Sequence, residues 1–123
     1  NAELEDFALS YFEKANVSDK IDFRIGNALD IIPTLKEKFD LVFIDADKTN
    51  YSNYFDLVID KLPKGAYIIT DNVLWSGKVV QKVAERDMET KAIVEYNQKI
   101  HDDPRVENIL FPIRDGLMIA RKL

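Results

Sequence analysis

Two short apolar runs in this chain each end on an acid: Leu41-Val42-Phe43-Ile44 stops at Asp45, and Ala66-Tyr67-Ile68-Ile69-Thr70 stops at Asp71, with Asn72 next. Runs of this length, apolar at nearly every position, suit strands of a parallel sheet whose faces are covered by helices. If the two runs pair as parallel neighbours, their ends lie about 4.8 Å apart. Asp45, Asp71 and Asn72 then meet in one mouth, at the strand carboxyl ends where open α/β sheets take up ligands.

The rest of the chain supplies the covering elements. Leu4, Phe7, Ala8, Tyr11, Phe12 and Ala15 recur at helical spacing, so the chain opens inside what reads as a helix, and a portion ahead of Asn1 is expected to be missing. Ile21-Asp22-Phe23-Arg24-Ile25 alternates as a strand does. Gly26-Asn27 breaks it, and Ala28 to about Lys36 reads as a short helix interrupted by Pro33. Asn50 is placed to cap a helix whose Tyr51, Tyr54, Phe55, Val58, Ile59 and Leu62 form one apolar face, ended by Pro63-Lys64-Gly65. A helix from about Arg86 to Asp102 is expected to bury Met88, Ala92, Ile93, Tyr96 and Ile100.

Strands near Val106 to Phe111 and Leu117 to Lys122 close the chain, joined around Asp115-Gly116. So short a connection requires an antiparallel pair, because parallel strands need a crossover of about a dozen residues. The order α-β-α-β-α-β-α-β-β predicts an α/β sheet, mostly parallel, with a reversed C-terminal hairpin. At 123 residues the chain is expected to form a single domain.

Composition narrows the function. The absence of cysteine removes disulfides and thiolate metal sites and fits a reducing compartment. No apolar run approaches the roughly 18 residues of a membrane span, and no basic segment leads into an apolar one, so the expected home is the cytoplasm, with no membrane partner. Acidic residues outnumber basic ones 22 to 17. A groove that tracks nucleic-acid phosphates shows as a basic stripe, and none stands out here.

The chemistry of the mouth is set by its residue types. Two carboxylates and a carboxamide offer oxygens to a hard cation, Mg²⁺, Mn²⁺ or Ca²⁺, and leave coordination positions for water or substrate. Zinc favours His and Cys, and the single histidine, His101, falls at a helix end where it reads as a solvated residue. Lys48, three residues after Asp45, can lean over such a cation; an ammonium near a positive charge in a desolvated pocket is pushed toward its neutral form and becomes a general base. Trp75, the sole tryptophan, falls in a loop just past Asp71-Asn72 and can wall a flat organic substrate.

Taken together these stretches resemble the cation-dependent O-methyltransferases that include caffeoyl-coenzyme A and catechol O-methyltransferases. The resemblance rests on Phe39 to Lys48 with Asn50-Tyr51 and Tyr54, on Asp71-Asn72-Val73-Leu74-Trp75-Ser76-Gly77, on Asp103-Pro104-Arg105 and on Asp115-Gly116-Leu117. It implies that Asp45, Asp71 and Asn72 hold the cation and that Asp45 also lies beside S-adenosylmethionine. It implies that Gly26 and Ala28 border the adenine, that Asp47 and Tyr54 approach the amino-acid end of the cofactor, that Lys48 deprotonates the acceptor and that Trp75 walls its ring. The implied acceptor is a small molecule with two adjacent hydroxyls, and relatives of this kind are commonly dimers.

The family's glycine-rich loop after the first strand, and the acid that binds ribose after the second, have no counterpart here. In a sheet of order 3-2-1-4-5-7-6, the first two strands are thereby lacking. That leaves the Ile21 strand without a neighbour and the Leu41 strand with an exposed edge. The chain therefore reads as an incomplete methyltransferase domain that alone could be inactive. Two rival readings compete with this one: methylation of a hydroxylated wobble uridine in tRNA, which the acidic balance disfavours, and a phosphoacceptor receiver module. The latter lacks here its acidic pair after the first strand and its lysine-proline pair after the fifth.

Overall fold

The structure is a computed structural model that describes residues 2–123. The chain divides into two compact units, one ending at Thr34 and the other spanning Leu35–Leu123.

In the first unit, α1 (Glu5–Lys14) follows a 3₁₀ turn at Ala2–Leu4, a further such turn spans Ser18–Lys20, and α2 (Ala28–Ile31) runs into another at Ile32–Thr34. The Asn27 side chain accepts the Leu29 N–H at 3.1 Å and so caps α2, while Pro33 confines the residues after α2 to a tighter turn. Phe12 of α1 meets Phe23 edge-on, with ring centroids 5.7 Å apart.

The strand expected over Ile21 to Ile25 does not form. Ile21 is extended at φ −118 and ψ 117, yet no strand among the described residues pairs with this segment. Alternation decides which way side chains point, but a strand exists only where a neighbouring edge completes its hydrogen-bond ladder.

The second unit is built on four strands: β1 (Leu41–Ile44), β2 (Tyr67–Asp71), β3 (Val106–Phe111) and β4 (Leu117–Lys122), in the order β1-β2-β4-β3. β1 and β2 are parallel, and β4 lies antiparallel to both β2 and β3. The sheet is thus mostly parallel in direction with one reversed strand, as the short Asp115-Gly116 connection requires.

Two helices, α3 (Tyr51–Ile59) and α4 (Met88–Asp102), contribute half of the described buried apolar residues. Tyr51, Tyr54, Phe55, Val58, Ile59 and Leu62 are all buried, as the helical spacing predicted, and Ile93, Tyr96 and Ile100 join them from α4. Ile44, Ile68, Thr70, Val106, Met118 and Ala120 are the buried strand positions among the described residues, and within β2 and β4 they fall at every second residue. Each large apolar side chain fully buried there stabilises the fold by about 1.5–3 kcal/mol.

Three details differ from the sequence reading. β1 is half-covered, not buried on both faces: Leu41 and Phe43 are more than half exposed at 55% and 57%. The reason is that β1 is an edge strand and the helices of this unit bury the opposite side chains, Ile44 among them. Met88 is exposed and Thr90 buried, because Asp87 caps α4 by accepting both the N–H and the hydroxyl of Thr90, drawing that residue inward. Asn50 stands at the start of α3 but does not cap its backbone; its side chain bonds to Asp47 and Asn53. No helix among the described residues is long and apolar enough to cross a membrane.

Candidate active site

The parallel register fixes the mouth of the site. Ile44 pairs with Thr70, so the next step along both chains sets Asp45 beside Asp71. Asn72 comes next, in the left-handed region at φ 61, a conformation that asparagine tolerates better than most residues. There the chain leaves the sheet. The Asp71 carboxylate accepts the Asn72 N–H at 2.6 Å through Oδ1.

Lys48 reaches into this mouth from a 3₁₀ turn, Lys48–Asn50, that leads into α3. Its side chain is buried and its ammonium donates to three oxygens: Asp45 Oδ1 at 3.2 Å, Asn72 Oδ1 at 2.9 Å and the Tyr51 hydroxyl at 2.5 Å. The Tyr51 hydroxyl in turn donates to the Asp71 carbonyl at 3.0 Å. Burial, and then the nearby carboxylates of Asp45, Asp71 and Asp47, push the Tyr51 phenol well above its ordinary range, so it stays a neutral donor.

The helical spacing assigns Tyr51 to the core alone, and the structure adds this polar role. Its position three residues after Lys48 is the signal that the sequence offers, since such spacing on a helical turn sets two side chains on one side.

The oxygens of Asp45 and Asn72 therefore converge on one positive group. That is the arrangement a divalent cation needs, and the donor types, carboxylate and carboxamide, are those of a hard cation. Among the described residues no cluster of three or more His, Cys, Asp and Glu side chains gathers. The candidate set has two carboxylates and would leave several coordination positions to other oxygens.

Asp47 and Tyr54 form a second pair. Tyr54 Oη donates to Asp47 Oδ1 at 2.5 Å, and Asn50 and Thr49 donate to Oδ2. Burial raises the Asp47 carboxyl, but these hydrogen bonds outweigh it and hold the group below the usual carboxylate range. Burial and the same contact push Tyr54 up to about 12. Asp47 is thus kept anionic, which suits the ammonium of an amino-acid ligand.

Trp75 stands over the same region, with the Lys48 ammonium 5.6 Å from its ring centroid and that of Lys78 5.8 Å. Its indole Nε1 is buried without a hydrogen-bond partner. The structure thus gathers Asp45, Asp47, Lys48, Tyr54, Asp71, Asn72 and Trp75 within the second unit. Gly26 and Ala28 lie in the first, before and at the start of α2. His101 is exposed in the last turn of α4.

Known proteins are similar to this chain in sequence and in fold. Residues 1–123 match the family described as O-methyltransferase. The chain is 38% identical over 136 residues to caffeoyl-CoA O-methyltransferase 1 of Eucalyptus globulus, covering all of this chain and 54% of that protein. It is 37% identical over 132 residues to tricin synthase 2 of Oryza sativa subsp. japonica, covering 98% and 45% respectively. A solved O-methyltransferase of Bacillus cereus in complex with SAH superimposes with a TM-score of 0.87 at 30% identity, over 99% of this chain and 60% of that one. The chain spans about half the length of the curated relatives it matches. These matches displace the receiver-module alternative.

Proposed function

The chain belongs to the O-methyltransferase family, and on that premise we propose that the protein, in its full native length, transfers a methyl group from S-adenosylmethionine to a hydroxyl of a small acceptor. The acceptor class is a vicinal dihydroxy aromatic, and the reaction uses a divalent cation, Mg²⁺ in the first instance. Residues 1–123 are part of one methyltransferase domain, and the protein is a cytoplasmic homodimer. The observation that carries this reading is the convergence of Asp45 Oδ1 and Asn72 Oδ1 on a single positive group at the ends of two adjoining parallel strands.

Asp45, Asp71 and Asn72 would hold the cation, which when bound lowers the pKa of an acceptor hydroxyl. Lys48 Nζ, as the neutral amine, would accept the proton that the hydroxyl gives up. S-adenosylmethionine, when bound, would supply a sulfonium methyl for in-line attack by the deprotonated oxygen, the C–S bond breaking as the C–O bond forms and its electron pair leaving with sulfur. Asp47 and Tyr54 would orient the amino-acid end of the cofactor, with Asp45 beside it. Trp75 walls the acceptor ring and excludes water from one side. Holding donor and acceptor at near-contact distance contributes about 7–11 kcal/mol to rate acceleration in favourable cases.

The test is isothermal titration of the full-length protein with Mg²⁺ and with S-adenosylmethionine, comparing wild type with Asp71→Ala, together with methyl-transfer assays on a catechol and on hypomodified tRNA. Loss of a carboxylate ligand should weaken cation binding by at least about tenfold, the lower end of what changes around a metal's ligands produce. Unchanged cation affinity in Asp71→Ala removes that residue from the site. Transfer to tRNA alone overturns the substrate class.

A further inference from the structure

The loop that carries Trp75 is fastened to the connection between β3 and β4, on the other side of the sheet order from β1. The Val73 N–H donates to the Gly116 carbonyl at 3.2 Å and the Leu74 N–H to the Asp115 carbonyl at 2.9 Å. The Ser76 N–H donates to Asp115 Oδ1 at 2.5 Å. Of these three bonds only the last is made by a side chain.

That bond falls where the backbone is least willing to stay. Trp75, Ser76 and Gly77 lie in succession in the left-handed region, at φ 47, 54 and 75, and two of them are not glycine. Side chains disfavour this conformation, so a surrounding contact has to hold it. Trp75 cannot do so through its own indole N–H, which has no hydrogen-bond partner. A charge-assisted bond from a carboxylate to a backbone N–H is among the stronger contacts available at this position.

We infer that Asp115 is a positioning residue: its carboxylate holds Ser76, and with it the Trp75 ring, in the place where an acceptor stacks, and so governs acceptor affinity more than turnover. The inference rests on the reading of Trp75 as the acceptor wall. Asp115 touches neither the proton-accepting lysine nor the oxygens proposed for the cation. Its loss therefore leaves those groups in place and frees the wall.

The test uses the full-length protein with Asp115→Ala and Asp115→Asn. The alanine variant should raise the acceptor KM about tenfold with kcat within about threefold, while the asparagine variant, which keeps an oxygen at the same place, stays near wild type. Cation and cofactor affinities should not change in either. Acrylamide quenching of the Trp75 emission, taken as the difference from a Trp75→Phe protein, should rise in Asp115→Ala and not in Asp115→Asn; this arm needs no acceptor.

Equal KM and equal quenching in Asp115→Ala overturn the inference, as does equal damage from asparagine and alanine. A fall in kcat with no change in KM also overturns it. If Asp115→Ala does not fold, Ser76→Gly on the same background should restore it, since glycine adopts a positive φ freely; failure of that rescue, too, counts against the inference. Absence of methyl transfer by the wild type defeats the functional reading, and quenching then still decides whether Asp115 holds the loop.

Discussion

The Lys48 ammonium lies 2.9 Å from the Asn72 carboxamide oxygen, joining a helical turn to the end of a strand twenty-four residues later. A positive side chain thus shares the oxygens that are proposed to hold a cation. Lys48→Met removes that charge while keeping the bulk of the chain stem. It should bind Mg²⁺ more tightly than wild type by titration, because two like charges no longer compete for one set of oxygens. In the same variant kcat should fall by about 10²–10⁴, the usual contribution of a general base.

Thr70 and Tyr96 exchange a hydrogen bond of 2.5 Å between two fully buried hydroxyls, one on β2 and one on α4. Thr70→Val leaves the Tyr96 hydroxyl without its partner and should destabilise the fold by about 1–3 kcal/mol in urea unfolding. Tyr96→Phe should do the same to Thr70. The double variant should lose less than the two single losses added together, since neither hydroxyl is then stranded.

Gly116 has φ +84, and a Cβ placed on it would sit 2.5 Å from Leu74 Cγ. Gly116→Ala combines a left-handed backbone with a clash and should cost about 1–3 kcal/mol or more. Gly65, at φ +89, faces open space, so Gly65→Ala carries only the backbone cost of about 1–2 kcal/mol. Thermal unfolding of the pair separates the two contributions.

Asp103 accepts from the Arg105 side chain at 2.7 Å and from the Arg105 backbone N–H at 2.9 Å. The side-chain hydrogen bond, foremost, holds its carboxyl below the ordinary value of 3.8, against the opposing effect of burial. A carboxyl depressed in the folded state binds protons more readily when unfolded. Its stabilisation is therefore present above about pH 4 and is lost as pH falls through the folded-state value. Denaturation measured from pH 6 downward should show a shallower acid loss in Asp103→Asn than in wild type.

Much of the second unit was legible because its signals are local. The four strands of the sheet sit where apolar runs and turn residues put them, and the buried side of α3 is the one its spacing marks. Asp45 and Asp71 could be paired in advance because strand register has a fixed step: once two runs are neighbours, their ends are too. Ile21 to Ile25 failed for the opposite reason. Its alternation is real, but pairing is a property of two segments, and no strand among the described residues pairs with this one.

The elements of the second unit and the chemical kinds of oxygen at one end of its sheet follow from local residue order, since backbone geometry and side-chain type are written residue by residue. Packing between distant segments set the contacts of Lys48 with Asn72 and of Asp115 with Ser76. It also left Leu41 and Phe43 exposed. Each of these outcomes depends on distances between segments far apart in the chain, and those distances are set by how helices and strands pack, which no local pattern encodes.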